Sequence, residues 1–232
     1  MNYFVYGKIN TNDYQLFIAN KNQFDGGAKR TEVITVPGKN GTLSISDGTF
    51  ENVKITYQMY GKGDIRQNIA GLRDALGATS GYMRLADSME PDVFMKARYS
   101  EPFTVKTSDK KNAALDIEFD CDPRKFLKSG EKVRTVTNNM TLKNPTFTTA
   151  KPLIRVYGTG TLTINSISVQ ITTANDYTDI DCEIEEAYKG STNCNNNIVL
   201  TNGLYPVLTK GTNTISFTGF SEVTIKPNWW IR

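Results

Sequence analysis

The chain has 232 residues, 27 Lys and Arg against 24 Asp and Glu for a formal charge of +3, and no histidine. Without imidazole there is no Ser-His-Asp or Cys-His nucleophile and no His-ligated metal site, although hydrolysis on two carboxylates stays open. The near balance of scattered charges argues against nucleic acid, the apolar runs are too short to insert in a membrane, and the length fits one large all-β domain or two of about 100–150 residues.

In chain order, "MNYFVYGKIN" has no basic region followed by an apolar one. It does not read as a secretory signal, so synthesis and retention in a cytoplasm is the default expectation. The stretch Glu32 to Tyr57, "EVITVPGKNGTLSISDGTFENVKITY", raises the question of a phosphate-binding loop. Gly38-Lys39-Asn40-Gly41-Thr42 lacks the first glycine of that motif, and the next residues, "TLSISDG", alternate like a strand rather than opening a helix. Asn40-Gly41 and Asp47-Gly48 are tight-turn signals, so the stretch is expected to run strand, turn, strand, turn, strand.

"NVKITYQMY" then places Val53, Ile55, Tyr57 and Met59 on one face of a strand. In "GDIRQNIAGLRDALGA" the period changes. Ile65, Ile69, Leu72 and Leu76 fall at helical spacing, Asp64 with Gln67 resembles a capping box, and Gly77 can supply a left-handed end. One helix over about 65–76 is expected, weakened a little by Gly71. "ALDIEFDC" alternates again, with Leu115, Ile117, Phe119 and Cys121 inward and Asp116, Glu118 and Asp120 outward. Pro102 and Pro123, beside Glu101 and Asp122, suit strand ends or an edge.

After Phe126 the composition turns polar and threonine-rich, with a strand expected around Val133–Val136. This crossing divides a β-rich module carrying the helix (1–130) from a second module of short strands and glycine turns (131–232), a β-sandwich pattern. There Leu162/Ile164 and Ile167/Val169/Ile171 flank an Asn165-Ser166 turn, and Ile215/Phe217 and Val223/Ile225 alternate. "DYTDIDCEIEE" places Asp179, Asp181, Glu183 and Glu185 on one strand face, about 6–7 Å apart. Such a row could flank a glycosidic bond or hold calcium, but it lacks the calcium-loop spacing, and a solvated or aggregation-proof strand gives the same pattern. Trp229 and Trp230 should point to opposite faces, one buried and the other free to stack on a sugar or fill a protein interface. Cys121, Cys182 and Cys194 are odd in number and lack a C-x-x-C pair, as expected of plain reduced thiols.

The ordered set as a whole resembles the distal tail proteins of long, non-contractile-tailed bacteriophages. The resemblance is carried by "VPGKNGTLSISDGTFENVKITY", "DIRQNIAGLRDALGA", "GYMRLADSMEPDVFMKARY" and "LDIEFDCDPRKFL". In the second half it continues through "KPLIRVYGTGTLTINSISVQI", "YTDIDCEIEEAYKG", "YPVLTKGTNTISFTG" and "VTIKPNWWIR". Lys39 stands where arginine is common in such relatives, and no long insertion of the kind that carries extra sugar-binding modules is present. The resemblance implies a mainly β protein, with an N-terminal β-sandwich or split-barrel module bearing one α-helix and a C-terminal galectin-like β-sandwich. It implies a non-enzymatic, usually hexameric ring at the tip of the virion tail, assembled in the host cytoplasm. Its implied neighbours are further copies of itself, the tail tube protein, the tail-associated hub protein and, in many relatives, receptor-binding proteins. No catalytic, cofactor, metal or ligand-binding residue is assigned. The alternative is a module that binds host cell-wall polysaccharide through Trp229 or Trp230 and the polar face around Asp181; a carboxylate glycosidase or lyase using Asp179 to Glu185 is a third reading. A likeness to galectins in fold does not transfer sugar binding.

Overall fold

The computed structural model describes residues 1–22, 26–109, 112–174 and 176–232. The protein is mainly β, and its chain divides into two compact units, one of residues 1–125 with Arg232 and one of residues 126–231. Among the described residues there is one α-helix, and no helix is long and apolar enough to cross a membrane.

The first unit contains β1 (Phe4–Tyr6), β2 (Ile9–Asn10), β3 (Leu16–Lys21), β4 (Glu32–Thr35), β5 (Thr42–Ile45), β6 (Val53–Lys62), α1 (Ile65–Gly77), β7 (Met83–Asp87), β8 (Val93–Arg98), β9 (Thr104–Ser108) and β10 (Asn112–Leu127). Its main sheet runs β2-β1-β7-β8-β10-β6-β3, with β9 also on β10. Past β1, Asn2 bridges Ile18 of β3, where the Ile18 N–H donates to the Asn2 carbonyl at 2.8 Å. The two ends of the sheet thus meet, and the sheet curls round its own core.

The period-2 patterns place that core as expected. Ile55, Tyr57 and Met59 of β6 and Leu115, Ile117, Phe119 and Cys121 of β10 are all buried, and the two strands pair from Val53↔Cys121 to Lys62↔Asn112. On the outer face Glu118, Asp120 and Asp116 meet Lys54, Arg98 and Lys106. Helix α1 lays Ile65, Ile69, Leu72 and Leu76 into the same core. Its N-cap is Asp64, whose carboxylate accepts from the Gln67 N–H. The end differs from expectation. Gly77 stays in the helix, Ala78 is the C-cap with helical φ, and Thr79 Oγ1 donates to the Leu76 carbonyl at 2.6 Å. A threonine hydroxyl thus closes the last turn where a left-handed glycine was expected. Gly71 has a packing reason, since a Cβ there would stand 3.2 Å from the Tyr14 ring. Pro123 lies within β10 but beyond its ladder with β6, which ends at Cys121, so its missing N–H costs no bond there.

The second unit is a sandwich of two antiparallel sheets. One holds β11 (Arg134–Thr135), β13 (Leu153–Tyr157), β16 (Tyr177–Asp181), β17 (Glu186–Lys189), β18 (Thr192–Asn193) and β21 (Glu222–Lys226), in the order β11-β21-β13-β16-β17-β18. The other holds β12 (Met140–Asn144), β14 (Gly160–Ile164), β15 (Ile167–Ile171), β19 (Ile198–Leu200) and β20 (Gly211–Thr218), in the order β12-β20-β14-β15-β19. The chain closes with β22 (Trp230–Ile231). Between the sheets Ile154, Val156, Ile180, Val223 and Ile225 face Leu162, Ile164, Val169, Ile171 and Ile215, all 1 % exposed or less. The Asn165-Ser166 turn forms as expected, with Asn165 at φ +56°.

Gly160 marks a close approach in this sandwich: a Cβ there would lie 2.1 Å from the Thr218 carbonyl oxygen, against the β14–β20 ladder. Gly160→Ala is therefore expected to cost about 2–3 kcal/mol, because backbone rather than a flexible side chain must move. Chemical denaturation followed by circular dichroism would measure it.

Candidate functional site

Each candidate from the sequence has a definite place. The carboxylate row does not survive as a row. Strand β16 ends at Asp181, whose Oδ1 accepts from the Glu183 and Ile184 N–H groups, and this side-chain turn breaks the alternation. Glu185 takes a left-handed φ of +58° and pairs with Lys151, while Ile184 faces solvent instead of the core. Asp179 shares its face of β16 with Asp181, as expected, but is buried and clasped at both oxygens by Arg155. Among the described residues no group of three His, Cys, Asp or Glu converges as a metal site would.

The tryptophans do not form a platform. Trp229 is 1 % exposed in the core of the second unit, and Trp230 is partly buried against the same cluster, its Nε1 donating to the Thr149 carbonyl. The adjacent pair does not divide between a wet and a dry face, because only Trp230 belongs to a strand. The three cysteines are free thiols. Burial pushes the Cys121 thiol up to about 12 and that of Cys182 higher still, so neither ionises near neutral pH.

The glycine-rich stretch proves to be the most unusual feature of the first unit. Its strand-turn-strand order is as expected, but the reversal falls elsewhere. The Lys39 N–H donates to the Val36 carbonyl at 3.1 Å across Pro37-Gly38, with Gly38 at φ +79°. That is a type II turn, with proline at its second position and glycine at its third. Gly41 and Gly48 also take positive φ, at the points where the chain enters and leaves β5. Gly41 opens the strand β5 rather than a helix, and β5 runs beside β4.

Strands β4 and β5 form a sheet of their own. The stem below them is closed by a Lys29↔Phe50 bridge, by hydrogen bonds from Arg30 to Thr49 and from Glu51 to Ala28, and by an Arg30–Glu51 ion pair. From residue 29 to residue 45 every position is exposed. The register pairs Ile34 with Leu43 and Glu32 with Ile45, which puts Ile34, Leu43 and Ile45 on one face, with Val36 next in the same alternation. The other face carries Thr35, Thr42 and Ser44 beside Val33. On the apolar face Ile34, Val36, Leu43 and Ile45 are 36, 38, 44 and 49 % exposed. An isolated two-stranded hairpin is marginal in water, and among the described residues this one has neither a third strand on its long edges nor a cover on its apolar face. An exposed apolar face of this kind is the type of surface that protein contacts cover.

A second feature of the first unit left no mark in the sequence pattern. Lys21 of β3 reaches Asp87 at 2.9 Å and also Glu90, Lys125 reaches Glu90 at 2.6 Å, and the Tyr57 hydroxyl donates to Asp87 at 2.9 Å. Asp87 in turn accepts from the Met89 and Glu90 N–H groups. The network pins the end of β3, the turn after β7 and Lys125 of β10 around a cavity of about 20 Å³. Burial pushes the Glu90 carboxyl up, but the hydrogen bonds from Lys125 and Lys21 outweigh it and hold it below its ordinary 4.5. Burial likewise pushes Lys21 down, and its bonds to Glu90 and Asp87 reverse the sign and raise it above 10.5. The depressed carboxyl contributes stability that is present above pH 4.5 and lost as pH falls through the folded value. The raised ammonium contributes stability that is full below pH 10.5 and lost as pH rises beyond it. Thermal melting against pH should show Glu90→Gln melting below the parent at neutral pH, with a shallower acid limb and, because Lys21 loses a partner that raises it, an alkaline loss that sets in at lower pH.

No family model matches the chain, and no curated protein matches it. Its fold is similar to that of the crystal structure of the SPP1 Dit (gp 19.1) protein, described as a paradigm of the hub adsorption apparatus in phages that infect Gram-positive bacteria. The likeness has a TM-score of 0.76, covers 100 % of both chains and comes at 15 % sequence identity.

Proposed function

We propose that the chain is a structural subunit of a phage tail tip, closing with copies of itself into a ring that joins the tail tube to the hub and host-adhesion proteins below. The observation that carries this reading is the likeness of fold to a phage adsorption hub over the whole of both chains. The hairpin of residues 28–51 supports it from the physics side. Its apolar face is uncovered, and a neighbouring copy that covers it with a different surface makes a head-to-tail contact. Contacts of that head-to-tail kind close into rings when the rotation is right. In this reading the ring is a hexamer, the second unit is a galectin-like sandwich, and its outward surface docks receptor-binding proteins. The work is adhesion between subunits rather than turnover, in keeping with a chain that has no histidine and whose Asp179 and Asp181 are spent on an ion pair and a turn.

Light scattering of the purified chain over a range of concentrations tests the reading. A mass several times that of one chain, growing with concentration and then constant, is the expected result. A chain that stays single at the highest concentration, with or without candidate tail tube protein added, contradicts it.

A further inference from the structure

Asparagine stands before glycine at Asn40 and at Asn202. In such a pair the glycine nitrogen can attack the carboxamide carbon of the residue before it, provided that the nitrogen is unbonded and can swing towards Cβ. Elsewhere in the chain this approach is blocked. At Asp47-Gly48 the Gly48 N–H donates to Ser46 Oγ at 3.2 Å, while Asp47 Oδ1 accepts from the Thr49 N–H at 2.8 Å and from Thr49 Oγ1 at 2.7 Å. At Asn165-Ser166 the carboxamide is held at both ends, Nδ2 donating to Asn213 Oδ1 at 3.0 Å and Oδ1 accepting from the Thr214 N–H at 3.1 Å. Asn202 takes φ 54° and ψ 25° in a turn that the Leu204 N–H closes onto the Thr201 carbonyl at 3.1 Å. At that ψ, tetrahedral geometry at Cα sets the Gly203 nitrogen nearly opposite Cβ, far from its own target. Asn40-Gly41 has none of these restraints. Both residues are exposed and lie between the Val36–Lys39 turn and β5. Among the described residues neither the Asn40 carboxamide nor the Gly41 N–H has a hydrogen-bond partner. A Cβ built on Gly41 would meet nothing within 4 Å, so no neighbour screens the approach. The sheet that follows has only two strands, which leaves the backbone free to swing.

We infer that Asn40 is a self-modifying site, which the Gly41 nitrogen converts through a cyclic imide to aspartate and isoaspartate. The Gly41 N–H gives its proton to hydroxide, and the nitrogen bonds to Asn40 Cγ. The Cγ–Nδ2 bond breaks, and Nδ2 leaves as ammonia after taking a proton from water, which restores the hydroxide. A water molecule then opens the imide. Cleavage of the nitrogen bond at Cγ leaves aspartate, and cleavage at the Asn40 backbone carbonyl leaves isoaspartate, with the main chain running through Cβ and Cγ. Nothing is oxidised or reduced: water is consumed and ammonia released. Either product puts a carboxylate beside the hairpin. The iso form also lengthens the main chain just before Thr42, whose pairing with Thr35 is the end of the β4–β5 ladder nearest the turn. A hairpin altered in this way presents its apolar face less well, so in the proposed ring, on which this consequence alone rests, chains left unassembled lose their competence with time.

Ageing the full chain in mildly alkaline and in mildly acid buffer tests this, with peptide mapping by mass spectrometry and isoaspartate methyltransferase to label the iso form. In the alkaline sample Asn40 is expected to yield isoaspartate as well as aspartate, about tenfold faster than Asn202 or Asn165. Conversion slows in acid, where the nitrogen keeps its proton, and Asn40→Gln, whose longer side chain would have to close a larger ring, stays intact. An Asn40 that keeps its amide, converts no faster than Asn202 and Asn165, or yields aspartate without isoaspartate would overturn the inference. Light scattering of the same samples should show the aged parent assembling less than the aged Asn40→Gln chain. A parent that fails to assemble even when fresh contradicts the ring alone, because the peptide map reads the conversion whether or not rings form.

Discussion

Replacing both Ile34 and Leu43 by aspartate is expected to leave a folded chain that no longer associates with its own copies. The two residues face each other on the hairpin and are 36 and 44 % exposed, so neither contributes much to the folded monomer. Covering the remaining apolar surface of such side chains stabilises a contact by about 1 kcal/mol apiece. Burying two carboxylates in the same place adds several kcal/mol of desolvation cost. Together the double variant should weaken each contact by about 5 kcal/mol, more than a thousandfold, and a ring multiplies that loss over its members. Light scattering should report single chains while thermal melting stays close to that of the parent. Ser44→Asp, on the hydroxyl face of the same hairpin, is the matched control and should leave assembly nearly intact. A double variant that assembles like the parent would remove the hairpin from the interface.

Phe119→Ala is expected to have the largest effect on the fold of the first unit. Its ring is fully buried and touches four others, with centroids 5.3 Å from Phe4, 4.9 Å from Tyr6, 6.1 Å from Tyr57 and 6.0 Å from Tyr99. These rings come from β1, β6 and the segment after β8, so Phe119 on β10 ties separate strands of the sheet together. Truncation removes the transfer energy of the ring and leaves a cavity that four fixed neighbours cannot fill, about 4 kcal/mol in all. Urea unfolding followed by near-ultraviolet circular dichroism should show an early loss of the aromatic signal of this unit. A cost below about 1 kcal/mol would mean that the aromatic cluster repacks freely.

Where one face of an element is buried and the other wet, the sequence was enough. The alternation in β6, β10, β14 and β15 and the helical spacing of α1 fixed which side chains turn inward, because burial selects the period directly. What local pattern could not show was how partners distant in sequence would use the same residues. Asp179 and Asp181 look alike in the strand "DYTDID", yet one is clasped by Arg155 on β13 and the other turns the chain. Pro37-Gly38 and Asn40-Gly41 both signal turns a few residues apart, and only the tertiary path decides that the first makes the reversal. The Lys21–Asp87–Glu90–Lys125 network joins three separate strands and a turn, and no spacing rule announces it. The apolar face of the hairpin was legible as a strand pattern, but its lack of cover was not: periodicity says which residues share a face, and only the fold says whether anything lies on it.

In the proposed ring this uncovered face meets another copy of the chain. Hydrogen exchange across residues 32–45, read beside electron-microscope images of the same preparation, tests it most directly. Closed rings seen from above, with the amides of β4 and β5 protected in the ring and fast-exchanging in the Ile34→Asp/Leu43→Asp monomer, are the predicted result. Rings whose hairpins exchange as fast as those of the monomer would contradict it.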